Sequence, residues 1–171
     1  MKSFAAFLIT AGVTLATVNA EEPHTPVSGL PQSLVGTWKL TAYEDHLADG
    51  SIKYPYGGKP VGLLIYDATG HMAIQIMKVP HPKVASGNEE KVAPEEKRAL
   101  FDSYIAYFGT YVVDWAKKTV THKVEGDLYD VYVGTSQDRP FQLNGDRLSL
   151  TPRWTEDGKN IQGLRIFDRV Q

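Results

Sequence analysis

From residue 34 onward, apolar and polar positions alternate with a period of two, in short runs broken by Gly, Asn and Pro. The run 34–45 sets Gly36, Trp38, Leu40, Ala42 and Glu44 on one face and Thr37, Lys39, Thr41, Tyr43 and Asp45 on the other. The first face is apolar until Glu44. The alternation therefore predicts a strand with that face inward and Glu44 at its far inner end. A loop rich in Gly, Pro and Tyr follows over 46–60. Runs 61–67 and 71–79 predict two strands, joined through Ala68-Thr69-Gly70 as a hairpin. On the second of these, Met72, Ile74, Ile76 and Lys78 share one face, and His71, Ala73, Gln75 and Met77 share the other. The pattern favours the first set as core.

The period changes once. Pro94, followed by Glu95 and Glu96, has the chemistry of a helix start. Phe101, Tyr104, Ile105 and Phe108 then recur at i, i+3, i+4 and i+7, which predicts a helix laying one apolar stripe on the domain and stopped by Gly109. Beyond it the two-residue period returns. Strands are predicted at 110–115, 119–125, 137–143, 147–151 and 163–170, with turns at 116–118, 144–146 and 156–159. Many short strands at close spacing predict an all-β, antiparallel sandwich or barrel with one packed helix.

The first 33 residues break both patterns. Lys2, the apolar stretch 4–18 and the small residue ending Val18-Asn19-Ala20 read as a secretory signal peptide over residues 1–20, cleaved after Ala20. The apolar stretch is too short to span a bilayer, which takes about 20 apolar residues. Residues 21–33, with Pro23, Pro26, Gly29 and Pro31, read as a flexible lead-in to one domain over residues 34–171. The expected location is outside the cell or in the lumen of the secretory pathway.

Composition narrows the chemistry. The formal charge is −2, one unit more negative once Lys2 is removed, and no basic patch carries interleaved aromatics, so nucleic acid is not an expected partner. No later stretch is apolar enough to insert in a membrane. Cysteine is absent, which removes disulfides, thiolate metal sites and a cysteine nucleophile. The five histidines lack metal-ligand spacing, and neither a Gly-x-Ser-x-Gly elbow nor a phosphate-cradling loop occurs, so no metal or organic cofactor is expected.

Four polar residues fall on predicted inner faces. His122 shares a face with Val120 and Val124, where an imidazole is a general base, a ligand hydrogen-bonder or a structural group tied to its neighbours. Glu44 is either a carboxyl inside a barrel mouth, with its pKa raised by burial, or a rim charge. Gln137 and Arg139 share parity with Phe141 and Leu143. Arg139 either holds a carboxylate, enolate or phenolate of a ligand, or pairs with Glu44 or Asp168 to close one end. Tyr66 and Tyr111 are candidates to line an interior or are ordinary sheet residues, and Phe141 with Met72, Met77, Ile76 and Leu64 forms an apolar pocket or ordinary core.

These pieces, in order, resemble the small lipocalin-like domain proteins of bacteria and fungi, a branch of the calycin barrels. The resemblance rests on Leu34-Val35-Gly36-Thr37-Trp38-Lys39-Leu40, Tyr54-Pro55-Tyr56-Gly57, Gly62-Leu63-Leu64-Ile65-Tyr66, and Gly70 with Met72, Gln75 and Met77. It continues through 101–111, 119–126, 134–139 and 145–150, and so covers nearly all of residues 34–170. It implies a barrel of about eight strands around a hollow, with Trp38 filling the closed end. It also implies that Gln75 and Met77 face the ligand, against the pattern on their strand. Calycins commonly pack an arginine over a tryptophan at a barrel end, a second structural role for Arg139.

The expected function is binding of a small, largely apolar metabolite. The alternative is a cofactor-free isomerase or cyclase acting on a polyketide- or terpenoid-like intermediate in specialised-metabolite biosynthesis. In that reading His122 and Glu44 move protons and Arg139 or Gln137 holds developing negative charge. Nothing in the pattern sets an oligomeric state.

Overall fold

The computed structural model describes residues 34–171; the expected signal peptide and lead-in lie outside the described residues. The alternation is realised as ten strands among those residues. They are β1 (Gly36–Leu47), β2 (Ile52–Lys53), β3 (Val61–Tyr66), β4 (His71–Met77), β5 (Tyr104–Asp114) and β6 (Thr119–Asp127), then β7 (Ser136–Asn144), β8 (Arg147–Leu150), β9 (Arg153–Glu156) and β10 (Lys159–Arg169). Every pairing is antiparallel, and sequence neighbours lie side by side from β3 to β8. The added pairing of β1 with β10 closes an eight-stranded barrel, leaving β2 and β9 as short extensions on β1 and β10. Closure removes the free edges that an open sheet would expose.

The helix is shorter than its periodicity predicts. α1 (Pro94–Asp102) opens on Pro94, and the Glu96 carboxylate accepts from the Ala93 N–H at 2.9 Å and the Ala85 N–H at 2.8 Å. Ser103 ends it: its N–H bonds the Leu100 and Phe101 carbonyls and its hydroxyl donates to the Leu100 carbonyl at 2.7 Å. Tyr104, Ile105 and Phe108 therefore belong to β5, not to a helical stripe. The run 104–108 is rich in aromatic and β-branched side chains that suit a pleated sheet, and its pairing with β4 overrides a coincidental helical spacing. Gly109 is no helix stop. A Cβ there would run into the Lys123 carbonyl, so glycine lets β5 approach β6 at an irregularity in their pairing. α1 buries no residue; it rests its Phe101 ring edge-on to Tyr129, 4.5 Å between centroids.

The closed end is a dry core. Trp38, Leu64, Leu148 and Phe167 are wholly excluded from solvent, and Leu34, Tyr66 and Met72 pack with them. Trp38 Nε1 donates to the Leu34 carbonyl at 2.9 Å. Across the indole lies the guanidinium of Arg169, 4.0 Å from the ring centroid, donating to the Val35 carbonyl at 2.8 Å and to Asp146 at 3.1 Å. The arginine over the tryptophan is thus Arg169, not Arg139. Arg169 also explains the glycine two residues before Trp38: Gly36 has φ +141°, and a Cβ there would sit 2.7 Å from the Arg169 Nη1.

Two bulges set which side chains reach the interior. In β1 the register against β10 slips between Leu40 and Ala42, so Thr41 is the extra residue. Before it Trp38 and Leu40 point in; after it Tyr43 and Asp45 do, and Glu44 turns outward. In β6 the register slips at Glu125, so Val124 and Asp127 both face inward. One extra residue reverses the two-residue period, which no alternation pattern anticipates.

Replacing Arg169 with Ala is expected to cost about 2 kcal/mol through loss of the cation–π and carbonyl contacts. Gly36→Ala is expected to cost more than about 1 kcal/mol from its backbone conformation. Because both changes disturb the same contact, urea unfolding followed by Trp fluorescence should show the double variant losing less than the sum of the two.

Candidate functional site

Above the Trp38 layer the barrel holds a cavity of about 640 Å³. Ile74 and Phe167, members of the core cluster, form its floor; Ile76, Ile105, Val124 and Leu150 form its walls. Each comes from a different strand or strand position whose inward parity the closed sheet imposes. The mouth carries Tyr132, Val131 and Trp154, all partly exposed.

One wall is polar. Tyr107 on β5 and Asp127 on β6 are direct register partners and both line the cavity. Gln137 and Arg139 on β7 line it beside them, and the Arg139 charge acts on the Tyr107 phenol. Gln137 donates to the Thr135 hydroxyl at 2.8 Å. Arg139 donates to the Asp138 carbonyl at 3.1 Å and is in no ion pair among the described residues. Among the described residues the buried Asp127 Oδ2 has no hydrogen-bond partner, an arrangement that carries a desolvation cost until something donates to it.

Behind this wall lies His122, wholly buried. Its Nδ1 is 2.9 Å from the Tyr107 hydroxyl and its Nε2 is 2.6 Å from the Tyr66 hydroxyl. Burial, reinforced by the Arg139 charge, lowers its pKa to about 3, so the imidazole is neutral at physiological pH. Burial likewise raises the phenols of Tyr66 and Tyr107, against an opposing pull from Arg139. His122 thus faces inward as its parity predicts, but it reaches the cavity only through Tyr107.

A second arginine stands opposite. Arg165, directly across from Tyr43 in the β1–β10 register, lies 3.4 Å from that ring's centroid. It donates to Asp45 at 2.7 Å and to the Glu44 carbonyl. This buried pair braces the mouth.

The structure separates the other sequence-predicted residues. Glu44 is off the cavity, its carboxylate 2.8 Å from His46 Nε2 on the outer face, because the Thr41 bulge reverses its parity. Gln75 and Met77 point outward, Gln75 accepting from the Tyr104 hydroxyl at 3.3 Å, while Met72, Ile74 and Ile76 are buried. Pattern, not resemblance, reads that strand correctly. Tyr66 and Tyr111 pack on each other at the closed end, 4.6 Å between centroids, and Tyr111 donates to the Asp67 carbonyl at 2.8 Å. Phe141 is core, edge-on to Trp115 at 5.2 Å. Of these candidates, Gln137 and Arg139 line the cavity and His122 with Tyr66 backs it.

Sequence reasoning missed Tyr107, Asp127, Tyr43 and Arg165. Arg165 was legible, since it shares parity with Phe167. Tyr107 shares parity with Tyr111 and was hidden only by the helical reading of its segment. Tyr43 and Asp127 lie beyond bulges. Among the described residues, no three of His, Asp and Glu stand together as metal ligands, and no helix is long and apolar enough to cross a membrane.

A family model described as a lipocalin-like domain matches residues 35–166. No curated protein and no solved structure matches the chain.

The His122 pKa predicts a pH dependence of stability. Its folded value, about 3, lies below the unfolded value of 6.5, so between these the unfolded chain binds more protons. Stability from this group is complete above 6.5 and is lost as pH falls toward 3, by up to about 1.4 kcal/mol per pH unit. Urea midpoints across this window should fall more steeply for the wild type than for His122→Gln.

Proposed function

Because the chain belongs to the lipocalin-like domain family, we propose that it binds a small, largely apolar metabolite inside the barrel. The supporting observation is the cavity of about 640 Å³, floored and walled by Ile74, Ile76, Ile105, Val124, Leu150 and Phe167 with one polar wall. Its size lies within the range of small-molecule sites, as does the combination of apolar lining with a few convergent polar groups. We further propose export, on the strength of the leader-like residues 1–20.

One observation favours the second reading, a cofactor-free isomerase or cyclase of a polyketide- or terpenoid-like intermediate. Tyr107 presents a hydroxyl to the cavity while bonded to a buried neutral imidazole, an arrangement suited to donating and recovering a proton. Arg139 beside it suits developing negative charge. Glu44 has no part in that chemistry, since it lies outside the cavity.

Mass spectrometry of protein purified from its native host should find one small apolar compound retained in near-stoichiometric amount. Leu150→Trp, which fills the cavity, should retain none. The same compound at the same amount on both proteins would count against binding in the barrel. Conversion of that compound on prolonged incubation with the wild type would move the reading to the isomerase or cyclase.

A further inference from the structure

We infer that the polar wall of the cavity is a receptor for a neutral carbonyl oxygen of the ligand, with the Tyr107 hydroxyl as donor. The ligand class is an apolar ketone, aldehyde, ester or lactone. This rests on the binding reading above and adds the chemistry of its polar contact.

The inference follows from counting protons. The Tyr66 hydroxyl is buried, and among the described residues its one hydrogen-bond partner is His122 Nε2 at 2.6 Å. A buried phenolic proton needs an acceptor, so Tyr66 donates and Nε2 accepts. A neutral imidazole has one N–H, which must then be on Nδ1. Nδ1 therefore donates to the Tyr107 oxygen at 2.9 Å. A guanidinium is donor-only, so Arg139, whose charge acts on the same phenol, cannot accept its proton. The Tyr107 proton is used by neither group, and the side chain lines the cavity. The fully buried Tyr66 and His122 thus fix Tyr107 as a donor.

Two charges flank it. Arg139 and Asp127 both line the cavity and act on Tyr107 with opposite sign, Arg139 the more strongly. Arg139 favours oxygen-centred negative charge, whereas the Asp127 carboxylate, with one orphaned oxygen, disfavours a full anion. An uncharged but polarisable acceptor meets both conditions, and the His122 donation onto the Tyr107 oxygen strengthens that hydroxyl's own donation.

The probe is prodan, a naphthyl ketone whose emission moves to the red when its carbonyl accepts a hydrogen bond, compared with dimethylaminonaphthalene, which lacks the ketone. Wild type should bind prodan about tenfold more tightly than Tyr107→Phe, with redder emission of the bound probe. The ketone-free compound should bind both proteins equally, which also shows that the variant is folded. Nitrogen NMR of the wild type should find His122 neutral with its proton on Nδ1. Equal prodan affinity and emission in the two proteins, or a His122 proton on Nε2, would overturn the carbonyl receptor and leave cavity binding standing. Failure of the wild type to bind either compound would overturn both. Should Tyr107→Phe not fold, the His122 tautomer in the wild type decides.

Discussion

Everything in this barrel depends on β1 pairing with two partners at once. Its residues 36–39 pair with β3 and its residues 38–47 pair with β10, so one strand both begins the meander and closes it. At the closed end the seam is clamped by side chains from both strands: Trp38 of β1 lies under Arg169 of β10, and Arg169 reaches back to the Val35 carbonyl. At the open end the same seam is held by Arg165 over Tyr43 and against Asp45. Both arginines sit on the inward parity of β10, with Phe167 between them. In a chain without cysteine, these two cation–aromatic clamps stand where a crosslink would otherwise hold the ends of the sheet together.

The bulge at Thr41 makes the two clamps compatible. Without it, the parity that buries Trp38 and Leu40 would carry Glu44 inward and send Tyr43 and Asp45 to solvent. With it, β1 presents large apolar groups to the dry end, an aromatic to the cavity and a carboxylate to Arg165. The bulge in β6 does the same for the opposite wall, adding Asp127 to a face that otherwise ends at Val124. Two single-residue irregularities thus add Tyr43 and Asp127 to a polar lining that Tyr107, Gln137, Arg139 and Arg165 supply from regular strand parity.

His122 stands at the boundary between the two zones. Its partners lie one toward each end, Tyr66 in the core layer and Tyr107 in the cavity wall. Burial keeps the ring neutral, and a neutral ring can satisfy both phenols only in one arrangement of protons. A structural histidine and a ligand-orienting histidine are therefore not alternatives here. Bonding to the core is what orients the group that meets the ligand.

Much of the fold was legible because an eight-stranded barrel imposes the two-residue period on nearly every strand. Trp38, Tyr66, His122, Phe141 and Arg139 all lie where their parity puts them. The stretch 101–108 was misread because four apolar residues happened to satisfy the helical spacing as well. Ser103 capping the helix and β4 pairing with 104–110 decided it. The candidate site was less legible than the fold. Gln137 and Arg139 were found by parity, but Tyr43 and Asp127 lie past bulges, and Glu44 was placed inside by the parity that a bulge cancels.

By itself, then, the sequence determined the strand-rich class and the inward parity of strands without a bulge, since these depend on local periodicity. Only the tertiary structure decided where that alternation reverses, which arginine covers the tryptophan, and that His122 meets the cavity through Tyr107. Those features depend on register across non-adjacent strands. Register is a property of pairs of segments, set by closure of the whole barrel, and one extra residue in either segment inverts every side chain beyond it.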